Sequence, residues 1–248
     1  YAFGAVVSPT LFSAILESLS FRAVMVTLTG VLLASGIFSG AILKCVGAQF
    51  LQDKNRSVTI SASLRSQQLL WLGYFGGVLA GLMVIGHAAG VAAALQPGIS
   101  PWLAPMVIAA FNLLGSLIGG RLVDKVRPEG LLAVLAVITT SALISLVVFG
   151  RLGGLLISLS VIGFAYGGTI AAYPAAIAKL FDVKDSARIY GRVFTAWGCA
   201  GLLGPWFAGF LFDISRDYQL ALLIAAAFSL VSVLAAALLS VVHRHARG

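Results

Sequence analysis

The chain has 248 residues, of which 60% are hydrophobic and 10% are Asp, Glu, Lys or Arg, with a mean hydropathy of +1.05. A soluble domain carries about 25% charged residues, so a cytosolic enzyme, a secreted disulfide scaffold and a disordered tail are excluded. The 16 Lys and Arg outnumber the 8 Asp and Glu, but they sit between apolar runs, which marks membrane orientation rather than nucleic-acid binding.

The predicted elements follow from where the charges stop. Residues 1–16 read as the end of a membrane helix, since the run lacks a basic start and contains Pro9. The chain therefore reads as a piece of something longer. Complete spans are predicted at 24–43, 69–95, 102–121, 131–149, 154–179, 189–212 and 219–242. Each is long enough to cross a bilayer as a helix, the form that satisfies its own backbone there. The run Gln96-Pro97-Gly98-Ile99-Ser100-Pro101 separates the second span from the third as a turn. Cys45 and Cys199 make neither a metal-ligand spacing nor a disulfide framework and read as packing residues.

Lys and Arg set the expected orientation. With the loop 44–68 in the cytoplasm, 13 of the 16 cations are cytoplasmic, leaving Arg22, Arg151 and Arg216 outside. The tail 243–248 then returns to the cytoplasm. The expected division is the end of one bundle at 1–43, an inter-bundle loop at 44–68, and a six-helix bundle at 69–242.

Glycine adds a second pattern. The spans 69–95, 102–121, 154–179 and 189–212 are glycine-bearing, whereas 131–149 and 219–242 have none. Small residues let helices approach closely. The six helices thus read as inner, inner, outer, twice over, which is a three-plus-three repeat of the inverted type used by transporters.

Two stretches carry a resemblance. Phe111-Asn112-Leu113-Leu114-Gly115 followed by Gly119-Gly120-Arg121-Leu122-Val123-Asp124-Lys125 resembles the charged loop motif G-x-L-x-D-R/K of the major facilitator superfamily. Gly163-Phe164-Ala165-Tyr166-Gly167-Gly168, then Pro174, Phe181-Asp182, Tyr190-Gly191, Gly198, Gly201, Gly204-Pro205, Gly209 and Asp213, resembles its oxalate/formate antiporter and monocarboxylate transporter-like branch. The resemblance implies an all-α polytopic fold, the C-terminal half of that architecture plus the end of its N-terminal half. It implies an antiporter or symporter for a small organic anion such as a monocarboxylate, in the cell membrane, with the lipid bilayer and an N-terminal bundle of the same protein as partners. Two departures bear on the substrate. The branch has a basic residue near Gly115-Ser116-Leu117 and a Lys where Trp197 stands; neither cation is here, which weighs against oxalate.

The residues themselves nominate a site. Tyr166 and Tyr173 are seven apart and share a helix face, and Pro174 suits a bent or discontinuous helix. Tyr74, Asn112, Thr195 and Trp197 are polar or amphipathic groups on the glycine-bearing spans, where a wet cavity would satisfy them. His87 is a titratable side chain inside a span. These seven are the predicted substrate contacts. Arg121, Asp124 and Lys125, with Arg188 and Arg192, are predicted gate residues at the cytoplasmic side, Asp124 reaching a neighbouring helix end. No cofactor is expected. No nucleophile–base–acid constellation, nucleotide loop or metal cluster is visible, so an enzyme is not expected. Alternatives to anion transport are export of a neutral or cationic amphiphile, or a non-transporting sensor or scaffold.

Overall fold

The computed structural model describes residue 15 and residues 20–47, 64–149, 152–181 and 183–245. Among these, every regular element is helical: α1 (Phe21–Cys45), α2 (Leu64–Ile85), α3 (Ala88–Leu95), α4 (Leu103–Lys125), α5 (Pro128–Val148), α6 (Leu152–Leu180), α7 (Val183–Ser215) and α8 (Gln219–His245). All except α3 are long and apolar enough to cross a membrane, seven spans in all. The predicted partial span 1–16 except residue 15, the core of the predicted loop 44–68, Arg151 and the last three residues lie outside the described residues.

The chain divides into two units, one holding α1 and the other holding α2 to α8. Considered alone, α1 is apolar on every side. Ser20 caps it by accepting from the Ala23 N–H at 3.4 Å, and Thr27 and Thr29 return their hydroxyls to the carbonyls of Ala23 and Met25. Such back-bonding hides hydroxyls that lipid could not satisfy.

Local signals explain the other boundaries. Gly98 adopts φ +89°, a left-handed turn that glycine takes without a Cβ clash, between α3 and α4. Pro128 opens α5 at a position where its missing N–H costs nothing. Asp217 accepts from the Gln219 N–H at 3.0 Å and so caps α8. The helix at the end of the chain continues to His245, past the predicted start of the tail at 243.

Two expectations need correction. The predicted single span 69–95 is two helices, with the break at Gly86-His87. Gly86 lies against Pro205 of α7, where a Cβ would meet the proline ring at 3.0 Å. His87 turns its ring onto the same segment, and this tertiary contact fixes the break. Conversely, α6 runs without interruption through Pro174, so the discontinuity expected there does not occur.

The bundle α2–α8 has a repeated packing plan. α2 packs on α7 and α8; α6 packs on α4 and α5; α5 packs on α8, and α2 touches α6. Exchanging α2 with α6, α4 with α7 and α5 with α8 returns the same set of contacts. The three-plus-three pattern of the glycines is therefore present in the packing. Three crossings also reverse the chain direction, so the second triple enters from the opposite side.

Glycine does not mark the centre, however. α5, whose one glycine is Gly130 in its first turn, and the glycine-free α8 carry the spans expected to be outer, yet each is about half buried against the other and against α2 and α6. The glycine-bearing α4 and α7 expose wide faces, with Phe111, Leu114, Leu117 and Ile118 on α4 and Leu202, Trp206, Phe210 and Ile214 on α7. Glycine marks close seams instead. One helix of a pair supplies the notch, as Gly73, Gly76 and Gly77 of α2 do for the glycine-free α8.

Candidate functional site

Five of the seven predicted substrate contacts converge where α2, α6 and α7 meet. Tyr166 and Tyr173 of α6 face α2 at two notches. The Tyr166 ring lies over Gly81, and the Tyr173 hydroxyl lies over Gly73; a Cβ at either glycine would meet the tyrosine at 2.6 or 2.8 Å. Two tyrosines seven apart thus seat on two glycines eight apart on an antiparallel neighbour. The Tyr173 hydroxyl is also hydrogen-bonded to Ser232 of α8. Tyr74 is fully buried and stacks on Tyr173, with ring centroids 4.1 Å apart.

α7 supplies the other wall. Trp197 donates its indole Nε1–H to the Tyr166 hydroxyl at 3.2 Å and stacks flat on Phe194, with centroids 5.3 Å apart and planes 6° from parallel. Phe194 also reaches Tyr190 at 5.3 Å and Tyr74 at 6.4 Å. The result is a continuous aromatic path from Tyr173 through Tyr74, Phe194 and Trp197 to Tyr166. Its deep end is sealed. Its α7 end is open: Phe194 is 38% exposed, and Thr195 and Gly198 are exposed beside it.

Polar groups line the open end. The Trp71 indole donates to Thr195 Oγ1 at 3.0 Å, and the Thr195 hydroxyl donates to the Arg192 carbonyl at 2.7 Å. Arg192, one turn before Thr195, donates from Nη1 to Gln67 Oε1 at 3.4 Å. A guanidinium, an amide, a hydroxyl and two indoles therefore adjoin an aromatic floor. Such a surface can hold an apolar body by stacking and a charged or polar end by hydrogen bonds.

The other two predicted contacts lie elsewhere. Asn112 is buried in the seam between α4 and α6, where Ser116 donates to the Asn112 carbonyl at 2.9 Å and approaches its Oδ1 at 3.4 Å and the Gly167 carbonyl at 3.3 Å. His87 sits at the α2–α3 break. Its Nε2 lies 2.9 Å from the Pro205 carbonyl and its Nδ1 3.3 Å from the Tyr218 hydroxyl. A carbonyl only accepts, so Nε2 carries the proton and Nδ1 is free to accept from Tyr218. Burial first, and then the Asp213 charge, push the Tyr218 hydroxyl above its usual value, which keeps it a donor.

Of the predicted gate residues, Asp124 at the end of α4 reaches Lys179 at the end of α6 at 3.8 Å, and Lys179 also donates to the Val123 carbonyl. Arg121, Lys125 and Arg188 are exposed, while Arg192 belongs to the aromatic junction through Gln67. Sequence reasoning missed Phe194, Trp71 and Gln67. The spacing of Tyr190, Phe194 and Trp197, four and then three apart, is a helical stripe that could have revealed Phe194. It also missed a hydroxyl–imidazole–carboxylate set, Ser66, His243 and Glu129, that three helices bring together. That corrects the expectation of no such constellation.

Seven membrane-length helices and a bundle built twice on one three-helix plan define a multi-pass membrane protein. Residues 132–248 match the family model described as Major Facilitator Superfamily. The chain is 27% identical over 203 residues to a protein named Uncharacterized MFS-type transporter YhjX of Escherichia coli (strain K12), covering 76% of this chain and 49% of that protein. It is 31% identical over 81 residues to Monocarboxylate transporter 14 of Homo sapiens, covering 33% of this chain and 16% of that protein, and 28% identical over 132 residues to the Mus musculus protein of that name, covering 52% and 25%. The chain is thus similar to major facilitator superfamily proteins, the named monocarboxylate transporters among them, and spans about half the length of the Escherichia coli relative and less of the others.

Proposed function

We propose that this chain is the C-terminal half of a secondary transporter that moves a small organic anion, such as a monocarboxylate, by alternating access. The observation that carries the reading is the aromatic junction of α2, α6 and α7, sealed at depth and open along α7. Its rings offer a surface for an apolar body, and the Arg192 guanidinium offers charge-assisted hydrogen bonds to a carboxylate. The major facilitator match and the named monocarboxylate relatives support the same class. An N-terminal bundle of the same protein would complete the transporter, and α1 would be its last helix. Counting Lys and Arg supports a cytoplasmic C-terminus in the cell membrane.

Within this reading Asp124 and Lys179 act as a gate pair that joins α4 to α6 in one access state. His87 and Asn112 hold helices in place around the path rather than touching solute. Binding and movement of solute need no bond chemistry, so the protein is not an enzyme on this reading.

The test is uptake of radiolabelled short monocarboxylates by vesicles containing the full-length protein. Trp197→Ala is expected to lower kcat/KM at least about tenfold by removing both the stack and the hydrogen bond, a loss of about 1.4 kcal/mol. Asp124→Asn is expected to lower the rate at equal protein abundance. Unimpaired uptake in Trp197→Ala would overturn the site, and unchanged transport in Asp124→Asn would overturn the gate. Export of amphiphiles with no carboxylate uptake would favour the alternative substrate class.

A further inference from the structure

Three helices meet where α2 begins, α5 begins and α8 ends. There His243 Nδ1 lies 2.8 Å from Glu129 Oε1, and His243 Nε2 lies 3.4 Å from Ser66 Oγ. Glu129 is only 6% exposed and Ser66 only 1%. The order hydroxyl, imidazole, carboxylate is that of a hydrolase triad. Ser66 is sealed, so no substrate carbonyl can approach its oxygen, and acyl transfer fails on access.

The geometry suits a different ligand, the proton. An ionised carboxylate buried in a membrane bundle is costly unless it is paired. Glu129 stands in the first turn of α5, where the helix end favours negative charge, and His243 stands in the last turn of α8, where the helix end favours positive charge. The carboxylate only accepts, so His243 Nδ1 carries a hydrogen and donates to it. The other ring nitrogen faces a hydroxyl. A hydroxyl donates when Nε2 is bare and accepts when Nε2 is protonated. The site therefore keeps every hydrogen bond in both states of the ring. A carbonyl or an amide N–H in the place of Ser66 would admit only one of them.

We propose that Ser66, His243 and Glu129 form a reversible proton-binding site that joins α2, α5 and α8 at one end of the bundle. The charged neighbours on the elements packed there are Arg65 of α2 and Arg127 at the start of α5, both exposed. Lys179 of α6 is engaged by Asp124. Arg244 and His245 follow on α8, their side chains outside the described residues. Neither exposed arginine replaces the buried carboxylate as the partner of the ring.

The test uses full-length protein in lipid bilayers, labelled with 15N-histidine, with the His243 ring signals assigned by their loss in His243→Gln. Between about pH 5 and pH 8, the range in which histidine serves as a switch, Nε2 is expected to gain and lose a proton while the Nδ1–H signal persists throughout. In Glu129→Leu, which removes both acceptor oxygens, the slowly exchanging Nδ1–H signal is expected to be lost. A ring that keeps one protonation state across the range overturns the proposal, and this result needs no variant. Survival of the protected Nδ1–H in Glu129→Leu overturns it as well. The readout does not involve solute, so its failure is separable from failure of the transporter reading.

Discussion

The seam between α4 and α6 and the junction of α2, α6 and α7 use the same helix, α6, in opposite ways. At the seam, glycine removes side chains so that backbones touch. Gly163 lies on the Ile108 backbone, Gly167 on the Asn112 carbonyl, Gly115 on the Phe164 carbonyl and Gly119 on Gly168. At the junction, rings and hydrogen-bonding groups fill the space between helices, and one side stays open. The seam has a single fit and resists change. The junction holds groups that can exchange one partner for another. The proposed transport would need both, a stiff body and a surface that can rearrange around a solute.

The largest effect should come from adding one carbon to each region. Gly167→Ala drives a Cβ into the Asn112 carbonyl, backbone against backbone, with no side chain able to yield. A loss of about 3 kcal/mol is expected, the upper part of the usual overpacking range, read as a lower Tm of the full-length protein in detergent. Gly198→Ala, on the open face of α7 with nothing within 4 Å, is expected to hold Tm or raise it slightly, since alanine favours the helix over glycine. Equal effects at the two sites would erase the distinction between seam and open face.

A smaller effect should separate stacking from hydrogen bonding inside the junction. Trp197→Phe keeps a ring to stack on Phe194 but removes the Nε1–H that reaches the Tyr166 hydroxyl. A loss of about 1 kcal/mol is expected, the net worth of one hydrogen bond. Loss as large as that of Gly167→Ala would mean that the junction is as rigid as the seam.

What could be read from the sequence follows the same division. The seven spans were legible because hydropathy over some 20 residues is a strong signal that tertiary contacts do not override. The twofold plan was legible in the glycines, although what they record is seams and not depth. Tyr166 and Tyr173 were legible by spacing, because helical periodicity alone puts them on one face. The break at Gly86-His87 was hidden, since glycine is tolerated within membrane helices and the break depends on Pro205 and Tyr218, more than a hundred residues away. Phe194 was hidden by its type, for a phenylalanine in a span reads first as a lipid-facing residue. The Ser66–His243–Glu129 set was hidden by distance, with partners 114 and 177 residues apart and each near a helix end, where polar residues are ordinary.

The smallest expected effect lies between α5 and α8, whose contact is made without glycine, the one glycine of α5, Gly130, meeting nothing within 4 Å. There Thr140 donates to Ser229 Oγ at 2.8 Å, and Ser229 donates to the Ala136 carbonyl at 3.2 Å, both side chains buried. In water-free surroundings such a bond would seem indispensable, yet interhelical hydrogen bonds in membranes average only about 0.6 kcal/mol, because the separated helices find other partners. Thr140 also has one at hand, since its hydroxyl lies 2.9 Å from the Ala136 carbonyl of its own helix. Thr140→Val keeps the shape and is expected to cost about 0.6 kcal/mol, read as a small fall in Tm with transport unchanged. A loss of several kcal/mol would show that these helices rely on the hydroxyl pair in the way that α4 and α6 rely on glycine. The contrast would then be between two kinds of close fit, and glycine would lose its special place in the stiff part of the bundle.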